Sequence, residues 1–355
     1  MPQAVAMSSY KEIARLSGVS IGTVYRVLHE RGRYSPETAR RVRRIATELG
    51  YKKNIYASNL SRSRDYRIAI VMPDPAHDNR YWEQPHTGMV EAIAALEQYR
   101  VSRVDYFYDE HDQSSFSERL AAAVAASPDA MIIAPSLGPE RERELSDTGL
   151  AIPHVFVDSL IPTRGRLGSV GQDSYASGRA GGRLVDLLVP EPRPIALVRS
   201  MPASRHIEER IGGARDALLE RRSRPVKEID VDFADPPAAS ERLARQIESD
   251  EPGGYFVSNS NASILSNLLS KLGARAAAIV GYDLVPENVN ALRDGRLAFL
   301  LSQRPFEQGR LAVEMIYRAV ILGEPAGTDH RVPIDIVSAE TIDSHLPGPN
   351  GTARP

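Results

Sequence analysis

At 355 residues the chain is too long for one ordinary core, so two or three domains are expected. Its composition, 42% hydrophobic and 25% charged, is that of a soluble globular protein. No apolar run approaches the roughly 20 residues that span a bilayer, and no apolar signal-peptide region follows the first methionine. The absence of cysteine excludes disulfides and thiolate metal sites and fits a reducing cytoplasm, which is the expected location. The net charge of −2 hides an asymmetry. Residues 1–64 hold thirteen Lys or Arg against four Glu, while the remainder holds 31 bases against 42 acids. A basic head on an acidic body points to a head that meets a polyanion; a solvated surface of uneven charge is the alternative.

In chain order, Ser9 and Glu12 form an S-x-x-E capping box that starts a helix near Tyr10, with Ile13, Ala14 and Leu16 as its apolar side. Gly18 ends it, because glycine accepts the left-handed conformation of a tight turn. Ser20 caps a second helix with Val24, Val27 and Leu28 inward. Helix, short glycine turn and helix make a helix-turn-helix pattern. Ser35 as N-cap and Pro36 at the first position open a third helix with Val42, Ile45, Ala46 and Leu49 inward, Arg40, Arg41, Arg43 and Arg44 outward, and Gly50 as the stop. Spacing alone leaves a plain three-helix bundle open as an alternative.

The stretch "YKEIARLSGVSIGTVYRVLHERGRYSPETARRVRRIATELGYKKNIYASNL" carries "EIARLSGVS", "TVYRVL", "ELGY" and "NIYASNL" without a gap. It resembles the DNA-binding headpiece of the LacI family of bacterial transcription regulators over about sixty residues. The resemblance implies a headpiece at 8–53 whose second helix enters the major groove of double-stranded DNA. Ile21, Gly22 and Arg26 would reach base edges, Arg26 by a bidentate contact with guanine. Ile21 offers only apolar contact and Gly22 no side chain, where relatives usually have a polar residue at one of the two sites. A half-site therefore cannot be copied from them. Ser20 and Thr23 would hold phosphate. Tyr25, where a serine is common, either reaches a phosphate or packs.

The resemblance also implies a hinge helix and linker at 54–65, folding on operator DNA. Asn54, Ala57 and Leu60 face the DNA there, and Leu60 wedges into the minor groove beside its dimer mate. A plain linker is the alternative.

From Arg67 onward, short apolar runs alternate with helical stretches. "RIAIVMP", "VDYFYDE", "AMIIAPS", "HVFVDS", "PIALVRS", "GYFVSN", "AAIVGYD" and "AFLLSQ" read as strands. Residues 86–98, 115–126, 174–188, 205–221, 239–249, 261–272 and 305–322 read as helices. This alternation predicts an α/β fold with doubly wound parallel sheets, whose ligands bind beyond the carboxyl ends of the strands. The family resemblance extends here. It implies a type I periplasmic-binding-protein-like unit at 66–346, two subdomains around a ligand cleft. The N-subdomain would hold about 66–171 and 302–328, the C-subdomain about 172–301 and 329–346. Residues 347–355 read as a disordered tail without leucine heptads, so a homodimer rather than a tetramer is expected.

Effector-binding candidates follow by position. Asn79, Tyr81 and Trp82 lie in the loop after the first strand, where an aromatic can lie against a sugar ring; Trp82 could otherwise be core. Asp158, Asn259 and Asp283 stand at strand ends, and Gln303 stands at a crossover. Asp173 either ligates or caps the helix from Ser174. Arg210 matches an arginine that clamps sugar hydroxyls in the family, unless it makes a surface ion pair with Glu208 or Glu209. Arg80 and Arg210 together hint at an acidic or phosphorylated sugar. Ser260 replaces a usual aspartate, altering a capping or ligand-linked role.

No G-x-x-x-x-G-K-[ST] or H-E-x-x-H occurs, and the one G-x-S-x-G, Gly18 to Gly22, falls in the turn between two helical patterns rather than after a strand, so neither an enzyme nor a metal or cofactor site is expected. His154, His206 and His330 read as surface or packing residues, and "GPERERELSD" as a solvated charge run. The expected function is a sequence-specific repressor of carbohydrate-utilisation genes. A small sugar would release it from a pseudo-palindromic operator. The alternatives are a corepressed regulator or activator, or a free sugar-binding protein.

Overall fold

A computed structural model of the protein describes residues 10–28, 33–49, 64–76, 80–112, 114–220, 225–249, 251–274 and 278–346. The chain divides into two units, Met1–Arg64 and Asp65–Pro355.

In the first unit, α1 (Tyr10–Ser17), α2 (Ile21–Leu28) and α3 (Pro36–Glu48) form where the caps predict them. Ser20 Oγ accepts from the Thr23 amide and Ser35 Oγ from the Thr38 amide, both at 3.1 Å, so each helix start recovers an orphan donor. Gly18 takes φ +63° between α1 and α2. Ile13, Ala14, Val24, Val27, Ala39, Val42, Ile45 and Ala46 close the core. One expectation is corrected: Leu16 is 45% exposed, lying off the Ile13–Ala14 side. Glu12 takes a guanidinium hydrogen bond from Arg15 at 2.6 Å. Ser9, the other half of the expected capping box, and Gly50 lie outside the described residues.

The second unit is built on two six-stranded sheets. β1 (Tyr66–Pro73), β2 (Val101–Tyr108), β3 (Ala130–Ile133), β4 (His154–Val157), β5 (Arg166–Gly171) and β11 (His330–Arg331) pair in the order β11-β5-β4-β3-β1-β2. β6 (Ile195–Ser200), β7 (Val226–Val231), β8 (Gly254–Val257), β9 (Ala278–Tyr282), β10 (Phe299–Ser302) and β12 (Asp335–Val337) pair in the order β12-β10-β9-β8-β6-β7. All pairings are parallel except β10 with β12.

Central strands feed a core on each face. In β1, Ile68, Ile70 and Met72 join one cluster, and Ala69 and Val71 the other. In β6, Ala196 and Val198 face one core, and Ile195 and Leu197 the other. Burial on both faces makes these strands continuous apolar runs in sequence. The edge strand β7 instead alternates buried Ile229 and Val231 with half-buried or exposed Glu228 and Asp230, which hides it from an apolar-run search.

The helices are α4 (Glu83–Ala94), α5 (Ser115–Ala125), α6 (Pro139–Asp147), α7 (Ser174–Leu188), α8 (Arg205–Leu219), α9 (Pro236–Ser249), α10 (Ala262–Lys271), α11 (Pro286–Arg293), α12 (Pro305–Ile316) and the short α13 (Ile342–His345). α6 overturns the solvated-run reading of "GPERERELSD", because Glu142 and Leu145 are buried.

The chain passes between the sheets after Gly171, after Ser302 and after Arg331. The third passage lies past residue 329, where the C-subdomain was expected to resume. His330 and Arg331 pair with Val170 and Gly171, completing the open edge of β5, and Asp329 accepts from Ser169 Oγ at 2.9 Å. Gln172 ties the passages together: its amide Nε2 donates to Ser302 O and Pro333 O, each at 3.0 Å.

Glycines let one helix pair in each half approach to backbone contact. A Cβ at Gly88 of α4 would overlap the Phe306 carbonyl of α12, and one at Gly178 of α7 the Arg210 carbonyl of α8. Gly178→Ala should therefore force α7 and α8 apart and destabilise the protein by about 1–3 kcal/mol. Urea unfolding with an unchanged m-value measures this; wild-type stability would show that the contact is not tight.

Candidate functional site

Two sites emerge, one in each unit. On α2, Ile21, Gly22, Tyr25 and Arg26 share an exposed face, opposite buried Val24 and Val27. Arg26 lies back along its helix: Nε donates to Gly22 O at 3.2 Å, and a terminal nitrogen to Thr23 Oγ1 at 3.1 Å. Thr23 Oγ1 also lies 3.0 Å from Ser20 Oγ. The guanidinium is thus held at the positive end of α2, where a polyanion is favoured. Tyr25 packs edge-on against Tyr10, ring centres 6.3 Å apart, while keeping an exposed edge. Asn54, Ala57 and Leu60 lie outside the described residues.

In the second unit a cavity of about 430 Å³ opens between the two sheets. Loops beyond strand carboxyl ends supply most of its wall, as open parallel sheets dictate. Tyr81, Trp82, Asp158, Arg210, Asn259, Asp283 and Gln303 all line it. Asn79 lies outside the described residues. Asp173 is not in the wall; it caps α7 by accepting from the Ala176 amide at 2.9 Å and pairs with Arg331.

Arg210 is 1% exposed and makes no surface pair with Glu208 or Glu209. One terminal nitrogen donates to Ser258 O at 3.0 Å and the other to Gln303 Oε1 at 2.5 Å; the guanidinium carbon sits 4.2 Å from the Tyr282 ring centre. Its Nε is buried with no partner among the described residues. Gln303 Nε2 in turn donates to both oxygens of Asp283 at 3.0 Å. Asp158 and Asp283 both turn through left-handed backbone, φ +58° and +66°, which aspartate tolerates better than bulkier residues. Burial pushes the Asp158 carboxyl up to about 6, opposed by the Arg210 charge. It pushes Asp283 up to about 7, opposed by Arg210 and the Gln303 hydrogen bond.

Several wall residues escaped the sequence reading. His206, read as surface or packing, lines the cavity 3.9 Å from Asp158. Burial, then the Arg210 charge, hold its ring well below the usual range, hence neutral. His154 is indeed a packing residue, bonded to Ile152 O and Thr163 Oγ1. Glu110 accepts from the Trp82 indole at 3.2 Å and fixes its ring. Ser136, Ser200, Phe233, Asn261 and Glu287 complete much of the wall. Arg80 is not in it: exposed, it pairs with Glu83 at 2.7 Å. Glu110, Asp158, Asp283 and Glu287 thus share the wall with the single guanidinium of Arg210, so acidic groups outnumber the one cation there.

Outside the wall, buried Asn288 supports it. Its Nδ2 reaches Ser260 O, Tyr282 O and Asp283 O at 2.8–3.2 Å, and its Oδ1 accepts from the Ser263 amide at 2.9 Å. The last bond caps α10 from another helix, where Asn261 makes no side-chain cap. Only spatial neighbourhood reveals such a residue.

Two family descriptions match the chain: "Periplasmic binding protein domain" over residues 68–325 and "Bacterial regulatory proteins, lacI family" over residues 9–54. The ribose operon repressor of Bacillus subtilis is 24% identical over 350 residues, covering 94% of this chain and 98% of the repressor. The xylose/arabinose-binding protein of Sulfolobus acidocaldarius is 29% identical over 161 residues, 44% of this chain; the match spans only 40% of that protein. The solved lac repressor dimer, bound to operator and an anti-inducer, shares the fold with a TM-score of 0.62 at 19% identity, over 93% of this chain and 98% of the solved one. No helix among the described residues is long and apolar enough to cross a membrane.

The raised carboxyls set a pH dependence. A folded-state pKa above the unfolded value near 3.9 means that the folded state holds the proton longer, so stability is lost as pH rises toward 7. The Tm of ligand-free wild type minus that of Asp283→Asn should fall by a few degrees between pH 5 and pH 8, by scanning calorimetry. A constant difference would show that Asp283 is ionised throughout.

Proposed function

We propose that this chain, which belongs to the lacI family of bacterial regulatory proteins, binds operator DNA as a homodimer and represses carbohydrate-utilisation genes until a small polyhydroxylated effector fills its cleft. One observation carries the reading. The same chain joins an exposed, arginine-bearing second helix to a polar cavity whose walls come from two sheets. A free binding protein has no use for the first feature, and a plain DNA-binding module has none for the second. Its place is accordingly the cytoplasm, where DNA is, and its role is regulatory rather than catalytic.

On the DNA side, α2 lies in the major groove. Arg26 reads a guanine, and Ile21 offers apolar contact to a thymine methyl. Ser20 and Thr23 fix the helix on phosphate, and the exposed edge of Tyr25 extends the same face. The segment with Asn54, Ala57 and Leu60 enters the minor groove as a paired hinge. Two heads in a dimer demand half-sites related by a two-fold axis, hence a pseudo-palindromic operator.

On the effector side, Asp158, Asp283, Asn259 and Gln303 accept from and donate to vicinal hydroxyls while Trp82 and Tyr81 cover a ring face. The charge balance of the wall supports an effector without a negative group, against the hint first carried by Arg80 and Arg210. The direction is release. Effector favours the closed cleft, and the closed state holds DNA more weakly by the ratio of effector affinities for the two states.

The test is a gel shift on DNA upstream of the protein's own and neighbouring sugar genes, with D-ribose, D-xylose, L-arabinose, D-galactose and myo-inositol added in turn. One neutral compound should release the complex, and phosphorylated counterparts should not. Retention of DNA under every compound would sink the release mechanism, and failure to bind any such DNA would sink the repressor reading. Arg26→Ala should weaken specific DNA binding by about tenfold or more, from a contact of about 1–3 kcal/mol. Calorimetric effector affinity should be unchanged.

A further inference from the structure

Two side chains outside the cavity join the halves of the effector unit. Glu142 belongs to α6, in the half built on the first sheet; Arg205 opens α8, in the half built on the second. Arg205 Nε donates to Glu142 Oε2 across the mouth of the cleft. Glu142 is 3% exposed and Arg205 is 48% exposed. The carboxylate is therefore buried, while its partner stands half in solvent. Arg205 immediately precedes His206 in the cavity wall, so whatever holds Arg205 also holds that wall. Away from this point, Gln84 Nε2 reaches Leu284 O across the cleft at 3.5 Å, at the outer limit of a hydrogen bond.

We propose that Glu142 and Arg205 are positioning residues of the effector site: their ion pair draws the cleft partly shut without ligand and so sets how tightly an effector is held. The consequence for effector affinity rests on the cleft's being the effector site. The closure itself does not. An exposed ion pair contributes little, because solvent screens both charges and holding them costs side-chain freedom. A pair with one partner buried is different: removing the other leaves a buried carboxylate without the charge that compensates it, and the contact that held the halves together is lost. Each closed molecule present before ligand arrives raises apparent effector affinity in proportion.

The sequence has no cysteine, so a pair introduced on exposed positions of the two halves, Glu118→Cys on α5 and Arg242→Cys on α9, carries spin labels without background. Pulsed electron resonance then reads the spacing between the halves in the full-length, ligand-free protein. The parent should show an open majority with a resolved closed population. Arg205→Met, which keeps length and removes charge, and Glu142→Gln should each lower the closed-to-open ratio by roughly tenfold. Arg205→Lys, which keeps the charge, should keep a closed-to-open ratio near the parent's. Because Arg205 is half-exposed, its replacement leaves the core in place, and circular dichroism checks this. A parent without any closed population, an Arg205→Met distribution identical to the parent's, or an Arg205→Lys distribution as open as that of Arg205→Met would each overturn the proposal. The two readings fail separately. If no sugar releases operator DNA while the spacing responds as stated, the effector reading falls and the clasp stands. If a sugar releases DNA while the spacing ignores the variants, the clasp falls.

Discussion

A buried guanidinium organises the effector unit. Arg210 sits where water is excluded, and no carboxylate bonds it directly. A charge so placed is tolerable only if polar groups replace its hydration. The Ser258 carbonyl, the Gln303 amide oxygen and the Tyr282 ring do this at close range, and Asp158 and Asp283 contribute their fields from further off. These partners come from separate places: the end of β8, the second passage between the sheets, the end of β9, and the opposite half. The charge is well solvated by protein only when all of them are in register. The Arg210–Gln303–Asp283 chain is thus both the floor of the cavity and a gauge of its geometry.

Burial also decides what can enter. The guanidinium spends one N–H of each terminal nitrogen inside the protein, so it lends the cavity its field as well as its remaining donors. The aspartates, pushed toward neutrality by the same burial, can accept a hydroxyl or, when protonated, donate to one. An amphoteric wall of this kind suits a ring of hydroxyls, where each ligand group is both donor and acceptor. A phosphate would instead add negative charge to a wall already rich in carboxyls. His206, kept neutral beside Arg210, offers no relief.

Much of this was legible in the sequence, for reasons that differ by element. The head was readable because its signals are local: a serine before each helix, a glycine between two of them, apolar residues at helical spacing. Central strands were readable because burial on both faces makes unbroken apolar runs. β7, β5, β11 and β12 were not: the edge strand β7 alternates, β5 (RLGSVG) breaks its apolar run with glycine and serine, and β11 and β12 have only two and three residues. Asp158, Asn259, Asp283 and Gln303 were found because they directly follow apolar strands. Asp173 stands in the same kind of position yet spends its carboxylate on a helix start, and sequence alone could not separate the two uses. His206, Glu110 and Asn288 carry no local signature. Their importance comes from partners elsewhere in the chain, 28 positions from Glu110 and up to 28 from Asn288, and the same holds for Glu142, 63 positions from Arg205, which looked like one more charge on a solvated helix.

The amide of Gln172 has a mechanical meaning. By holding the second and third passages with one nitrogen, it gathers all three covalent links between the halves onto a common pivot. Such a joint permits turning but resists sliding, since translation would break both bonds at once. Displacement under turning grows in proportion to distance from the axis. A small rotation that barely alters the cavity floor near Gln303 therefore becomes a much larger excursion at the far rim of each half. A joint of this kind turns a small adjustment at the cavity floor into a longer excursion at the rims, by leverage alone.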